Sequence, residues 1–560
     1  MVITVINWLW AGISFVLTGL LVRSIAGKLT GRYLNKADEV IVSGIIFCTV
    51  YAEYVSLFYK VEVLCTLGLF SIDLIAVVVC RKELIKAFGY IKELKNYGWQ
   101  IFVCMLFGFF FVMASTLKVE HVDTYLYHAQ TIEWNELYGA VKGLGNLHPR
   151  LAYNSAFFCL QALFSLRGLL GRSLHVLNGL FCLMAVSYSF CTLKFFKTKK
   201  LYASDIARMT TFFYVLYSAE YISSPNSDIL TLLLVIYVII KWMDMAESRE
   251  RFGENEVSTT MFLGIVTVYL VSLKLSAMPL VLLCLYPLYR YVRAKNWKEL
   301  IFMLLCGTAV IFPFLARNVI QSGYLLYPFP ALDLFNFDWE IPAFKAEAES
   351  TEIMAWGRSL NYKGAYDWPF GKWIHEWWQY LDSRFKYFVL IDLAAIVCNA
   401  VMIIKSIKNK RADHRLFVMV IIMISWLYWF LSAPIIRYGM PFLLLLPAVT
   451  LLYMGDDIKK CFAVTEQLFI IAMLINLVMT FDAYNCKIFW PEDYPLNEGV
   501  ENIIYAPDGS EHVIYSPVEG ADLTEYPIYY QFPAVPGASM LKEVEMRGND
   551  LSDGFRYKGE

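Results

Sequence analysis

The chain has 560 residues, 58% of them hydrophobic and only 17% charged, where an ordinary soluble domain carries roughly 25% charged residues. With 48 basic and 49 acidic residues the formal charge is −1, so there is no electrostatic footprint for a nucleic-acid partner. The 12 cysteines lie mostly inside apolar runs and form no CxxC pair, which argues against a disulfide framework and a cysteine zinc site.

The apolar residues gather in runs of about 20, the length that crosses a bilayer. Hydropathy predicts an all-α polytopic membrane protein with about 14 transmembrane helices. They fall near residues 3–23, 40–59, 61–80, 99–117, 174–193, 205–222, 228–242, 259–273, 277–290, 299–316, 387–405, 416–434, 438–455 and 462–481. The first run lacks a basic n-region and an A-x-A-like cleavage site, and its positive charges, Arg23, Lys28 and Arg32, come after it. It reads as a retained span with the N-terminus outside. Basic clusters follow at "RKELIKAFGYIKELKNY", "KFFKTKK", "YRYVRAKNWK", "KSIKNKRADHR" and "DDIKK". Alternating the spans puts all of them on one side, which the positive-inside rule makes cytoplasmic. Residues 151–166 then cannot cross, because a crossing would invert everything after them. They are expected on, or dipping into, the outer surface.

This divides the chain into N-terminal spans (1–98), a membrane core (99–481) with outer loops 118–173 and 317–386, and an extracytoplasmic tail (482–560). The second loop is rich in tryptophan: Trp339, Trp356, Trp368, Trp373, Trp377 and Trp378. In the tail, "NIIYAPDGSEHVIYSP" has two β-prone runs flanking Asp508-Gly509, a hairpin signal that predicts a small, partly β cap.

The first outer loop carries the densest chemistry. It opens on "EHVDTYLYHAQ", residues 120–130. A helix starting at Asp123 would put Asp123, Tyr127, Gln130 and Trp134 on one face, and Val122, Tyr125, Leu126, Ala129 and Ile132 on the other. Asp123 would then head a polar cavity, or serve as an N-cap accepting a backbone N–H; the two roles are compatible. Gly143, Gly145 and Pro149 break the loop further on, before His148, Arg150, Tyr153 and Asn154. His121, His128 and His148, with Glu120 and Asp123, offer ligands for a divalent metal, though their spacing fits no specific metal motif.

Arg150, Lys274, Arg317 and Arg437 fall outside or at outer span ends, where basic residues are under-represented. Membrane-edge charges mark substrate paths, and guanidinium groups bind phosphate bidentately, so a converging set suits a phosphorylated lipid. Snorkelling to headgroups is the alternative for any one of them. "FLARNVIQSGYLLYPFP" also contributes Tyr327, and "SSPNSD" contributes Asn226 in a turn that opens a helix. Glu53 and Asp73, inside spans, read either as packing partners or as functional groups.

An acid in an outer loop followed by surface helices, a short polar outer turn, an aromatic later loop and outer basic residues together resemble the GT-C glycosyltransferase superfamily over most of residues 99–481. "VDTYLYHAQTIEW", "VKGLGNLHPRLAYNS" and "EMRGNDLSDGF" more closely resemble an uncharacterised family of bacterial polytopic membrane proteins. The GT-C resemblance implies sugar transfer from a polyprenyl-phosphate-linked donor to a glycan or other extracytoplasmic acceptor, at a bacterial cytoplasmic membrane, in surface polysaccharide assembly. It implies that Asp123, with Glu120 nearby, is the catalytic acid that serves as base or helps hold a metal. Lys274, Arg317 and Arg437 would meet the lipid phosphate, and His128, His148, Arg150, Asn154, Asn226 and Tyr327 would line the substrate site. The chain departs from the usual pattern in placing about three spans before the catalytic loop and in lacking a paired-acid DxD and a large soluble domain. A lipid-linked glycan polymerase and a flippase of lipid-linked sugars are the alternatives. The gathering of polar residues on one side favours an enzyme.

Overall fold

A bilayer core offers backbone N–H and C=O groups no water, so a chain with apolar runs of this length satisfies them internally, as helices. The computed structural model describes residues 1–31, 34, 36–91, 98–248, 254–359, 362–409, 414–526 and 529–559. Arg32 and the parts of two basic clusters at 92–97 and 410–413 lie outside the described residues. Ten helices among the described residues are long and apolar enough to cross a membrane, from Val2–Thr30 to Asp456–Thr480. The remaining four expected spans are also helical but short or interrupted by polar groups. They are Val63–Val79, Gly98–Ala114, the apolar part Val257–Leu273, and Ala203–Tyr217, whose first turns carry Asp205 and Arg208. The protein is therefore a largely helical, multi-pass membrane protein.

Charge is divided between the two ends of this bundle. At one end Lys241 pairs with Asp38 and Glu39 at 2.8 and 2.9 Å, and Arg208 with Asp244 at 2.6 Å. Nearby, Lys194 reaches Asp244 at 2.9 Å and Lys200 reaches Asp456 at 3.8 Å. The opposite end holds residues 118–173, 317–386 and the tail. There the chain start is tied to the tail by backbone bonds, Val2 N–H to Ile488 O at 2.8 Å and Ile3 N–H to Phe489 O at 3.2 Å. The described basic clusters thus share one end of the bundle, and the N-terminus and tail share the other.

Of the two placements expected for residues 151–166, on the outer surface or dipping into it, the chain takes the second. The helix Ala156–Phe164 does not lie on the surface; every one of its residues is buried. Its composition, with no charge and Gln161 as its one polar residue, lets it enter the bundle, where Phe164 packs on Trp10 and Phe15 at ring distances of 4.7 and 5.3 Å. The chain then turns back, because Leu174 N–H bonds to Ser165 O at 2.8 Å. The helix therefore dips in without crossing.

The tail hairpin forms as its turn chemistry demands: Val500–Tyr505 pairs antiparallel with Glu511–Ser516 around Gly509 at φ 87°. A second pair joins Val544–Met546 to Phe555–Tyr557. The tail is welded onto the first outer loop. Ile504, Ile514, Val535, Val544, Met546 and Phe555 bury against Trp134, Val141, Leu144, Leu147 and Leu151. Gly143 makes that approach possible. It sits at φ 63°, and a Cβ there would lie 2.1 Å from the Phe555 carbonyl oxygen. In the second outer loop, the helix Phe370–Tyr380 buries Trp373 and Trp377 and exposes Phe370 and Tyr380, the pattern of a helix lying at a membrane–water interface.

Candidate functional site

Asp123 sits where the chain leaves the Gly98–Ala114 helix and starts the next turn. Its backbone occupies the N-cap position, but its side chain makes no cap hydrogen bond. The following residues, Thr124–His128, form one turn of π-helix, an irregularity often found at functional sites. The carboxylate points instead at Arg437. Arg437 opens the Ile436–Thr450 helix just after Pro434, where the chain re-enters the bundle.

Arg437 joins three groups. Its Nη2–H donates to Asp123 Oδ2 at 2.9 Å, its Nη1 lies 2.6 Å from His121 Nε2, and its Nε lies 3.2 Å from Asp228 Oδ2. Asp228, the first residue of the Asp228–Glu247 helix, is hydrogen-bonded by Lys274, whose ammonium sits 3.8 Å from the Tyr438 ring centroid. On the other side of Asp123, Arg150 Nη1 lies 3.7 Å from Oδ1. The same guanidinium is 3.6 Å from both Glu349 and Glu352 of the Ala343–Arg358 helix. Tyr153 donates to Glu349, and Tyr327, its ring 6.4 Å from that of Tyr153, has a buried hydroxyl with no hydrogen-bond partner among the described residues. Two outer loops and three helix ends therefore converge on one charged cluster, still open to solvent. Side-chain exposure is 16% at Asp123, 23% at Arg150 and Lys274, and 28% at Arg437.

The electrostatics divide two of the three carboxylates beside Arg150, Asp123 and Glu349. Burial would raise the Asp123 pKa, but Arg437, then the neighbouring histidines and Arg150, hold it well below the usual carboxylate range. Burial raises Glu349 against the opposing pull of Tyr153 and Arg150. Burial, then Arg437, pushes His121 down to about 4, and burial, then Arg150, pushes His148 down to about 3. At neutral pH the site thus holds an ionised Asp123 beside neutral imidazoles.

Of the residues singled out from sequence, Asp123, Arg150, Lys274 and Arg437 come together. His128 stands behind them, its ring 5.4 Å from His121 and its Nδ1 3.4 Å from Thr124 Oγ1. Others go elsewhere. Glu120 is exposed and pairs with none of this set. Arg317 is 1% exposed and donates to Asn154 Oδ1 at 2.8 Å and to Ser56 Oγ at 2.5 Å, apart from Asp123. Asn154 spends its amide on Phe314 O and Asn318. Asn226 donates to Tyr221 O and accepts from Ile229 N–H, which is the turn-and-cap role its Ser-Pro-Asn setting suggests. Gln130 and Trp134 do not share Asp123's cavity: Gln130 Oε1 accepts from Ala534 N–H, and the Trp134 ring packs at a tilt on Phe532, 4.9 Å between centroids. Among the described residues no three His, Cys, Asp or Glu side chains are grouped to hold a metal ion.

Sequence reasoning missed Asp228, Glu349 and Glu352. Asp228 had a signal, an acid at the head of a helix that is then free of charge until Lys241. The glutamates had none, lying in an acid-rich surface helix far along the chain.

The chain matches the family model of a domain of unknown function, DUF8201, over residues 1–444. That span takes in every member of the cluster and leaves out the tail. No curated protein matches the chain, and no solved structure does. With residues 1–444 of 560 matched, the chain belongs to the DUF8201 family.

Proposed function

We propose that the protein is a membrane glycosyltransferase that moves a sugar from a polyprenyl-phosphate-linked donor to an acceptor hydroxyl on the outer face of a bacterial cytoplasmic membrane. The observation that carries this reading is the solvent-open cluster in which Asp123 meets Arg437 and Arg150, and Arg437 is linked through Asp228 to Lys274, so that three cations from separate elements gather around one partly exposed carboxylate. The donor cannot leave the bilayer, so its phosphate must be met at a bundle end, where this cluster lies. The basic clusters occupy the opposite end, and the positive-inside rule makes that end cytoplasmic.

The chemistry balances on these groups. The acceptor oxygen bonds to the sugar carbon as the bond from that carbon to the phosphate oxygen breaks, with the electron pair leaving on the phosphate. The hydroxyl proton passes to Asp123. Negative charge therefore moves from the carboxylate to the departing phosphate, and Arg437, which touches Asp123 and stands beside Lys274's partner Asp228, is placed to follow it. While Arg437 rests on Asp123 the carboxylate is a weak base. A phosphate that draws Arg437 away makes Asp123 more basic, so donor binding prepares acceptor activation.

The test is sugar transfer from polyprenyl-linked donors in proteoliposomes, comparing wild type with Asp123→Asn. Loss of about 10²–10⁴-fold with normal insertion supports the reading. Full activity in the variant removes it. Impermeant thiol labelling tests the sidedness: a cysteine at exposed Asp508 should react from outside, and one at exposed Lys199 should not.

A further inference from the structure

Two donors face the His121 ring. The Asp123 backbone N–H points at Nδ1 from 3.2 Å, and the Arg437 Nη1–H points at Nε2 from 2.6 Å. A neutral imidazole has one acceptor nitrogen and one N–H. One of the two donors must therefore confront another N–H.

Which donor loses follows from what can move. The Asp123 N–H belongs to the backbone at the head of the π-helical turn, held in place by the bond from Thr124 N–H to His121 O at 2.9 Å. Arg437 is a long side chain, 28% exposed. The backbone bond to Nδ1 sets the tautomer with hydrogen on Nε2. The ring cannot swing away to relieve the clash. It is 2% exposed, with the Tyr221 ring at 5.0 Å and the His128 ring at 5.4 Å. The Nε2–H and the Arg437 Nη1–H thus oppose each other with no acceptor between them. An anionic oxygen that accepts from both resolves the conflict once the guanidinium draws back. A phosphate suits the place because its other oxygens can take the charges of Lys274 and Arg150, now shared with Asp228, Asp123 and Glu349.

We propose that His121 is a phosphate-binding residue, its Nε2–H donating to a phosphate oxygen at the position the Arg437 guanidinium now covers. This rests on the reading of the site as the seat of a lipid-linked phosphate and adds a neutral donor to its charged ones. His121 also becomes the group that favours moving Arg437 off Asp123, because only then is its Nε2–H satisfied.

The experiment titrates the full-length chain in lipid nanodiscs with geranylgeranyl monophosphate and, separately, with inorganic phosphate, following affinity and melting temperature. His121→Phe should weaken the lipid monophosphate about tenfold or more. His121→Gln, whose amide N–H reaches about as far as Nε2, should stay within a few-fold of wild type. His121→Asn, too short to reach, should lose as much as His121→Phe, and it carries the test if the phenylalanine variant fails to fold. Equal affinity in wild type and both non-donating variants overturns the proposal, as does equal loss in His121→Gln. Inorganic phosphate bound as tightly as the lipid, with the same loss on substitution, keeps the role of His121 and overturns the lipid-linked donor. A wild type that binds neither probe overturns both.

Discussion

Arg437 and Arg317 look alike in sequence, each at the outer end of an apolar run, yet the structure gives them opposite surroundings. Arg317 is sealed in: 1% exposed, it is hydrogen-bonded to Asn154 and Ser56. Arg437 is shared among Asp123, Asp228 and His121 and keeps 28% of its side chain in solvent. A buried, fully committed arginine holds helices together, since displacing it would strand its partners. An arginine with several alternative acceptors and an open face can exchange them for a ligand. Position at a membrane edge does not separate these roles; the number of exclusive partners and the access of solvent do.

The sharpest way to break the comparison is to truncate both arginines. Arg317→Ala leaves Asn154 Oδ1 and Ser56 Oγ buried without their donor, so about 1–3 kcal/mol of stability should be lost for each stranded group, read as a fall in melting temperature and folded yield. Arg437→Ala should leave the fold near wild type, because Asp123 is partly open to solvent and buried Asp228 keeps its bond from Lys274. If the two variants melt alike, the distinction fails.

Next in size is donor recognition. Arg437→Lys keeps the charge but loses the planar fork that reaches Asp123, Asp228 and His121 together, so affinity for a lipid monophosphate should fall about tenfold with little change in melting. Arg317→Lys should show the reverse, a lower melting temperature with little effect on affinity in the protein that remains folded.

A smaller effect is expected where the tail docks. Glu136, fully buried, accepts from Tyr529 Oη at 2.6 Å and lies 3.2 Å from Arg167. Tyr529→Phe removes one donor to a buried carboxylate and should cost about 1–3 kcal/mol locally, seen as faster proteolysis within residues 482–559. Transmembrane packing should be untouched.

The smallest predicted change is none. Asp123's folded pKa is depressed, so its ion-pair stabilisation is present above the unfolded value of about 3.9 and is lost only as pH falls through the folded value. Between about pH 5 and pH 8, Asp123 should therefore add no acid limb to kcat/KM. A limb that appears there in wild type and vanishes in Asp123→Asn would show that Arg437 does not rest on this carboxylate in the free protein.

Hydropathy located the helices well, because a period of apolar residues long enough to cross a bilayer leaves the backbone few alternatives. Length alone does not separate a span from a dipping helix: Ala156–Phe164 is as apolar as a span, and it is the alternation of the basic clusters that places it without a crossing. The Asp508-Gly509 hairpin was legible because turn chemistry is local. Half of the site was legible as well. Asp123, Arg150, Lys274 and Arg437 stand out as charges where charge is disfavoured. Glu349 does not, because an acid in a soluble loop violates no rule, and its meeting with Arg150 depends on a fold that brings residues 150 and 349 together. Arg317 falls with the site in sequence because membrane depth can be read there, whereas the direction in which a side chain points cannot.

The central claim is that the Asp123–Arg437 cluster receives a lipid phosphate. The most direct measurement is a cryo-electron microscopy map of the full-length chain in nanodiscs containing geranylgeranyl monophosphate. The account predicts phosphate density within about 3 Å of Arg437 and Lys274, with Arg437 drawn off Asp123. Phosphate density at the Lys241 and Arg208 end, or Arg437 still seated on Asp123 with the lipid bound elsewhere, would contradict it.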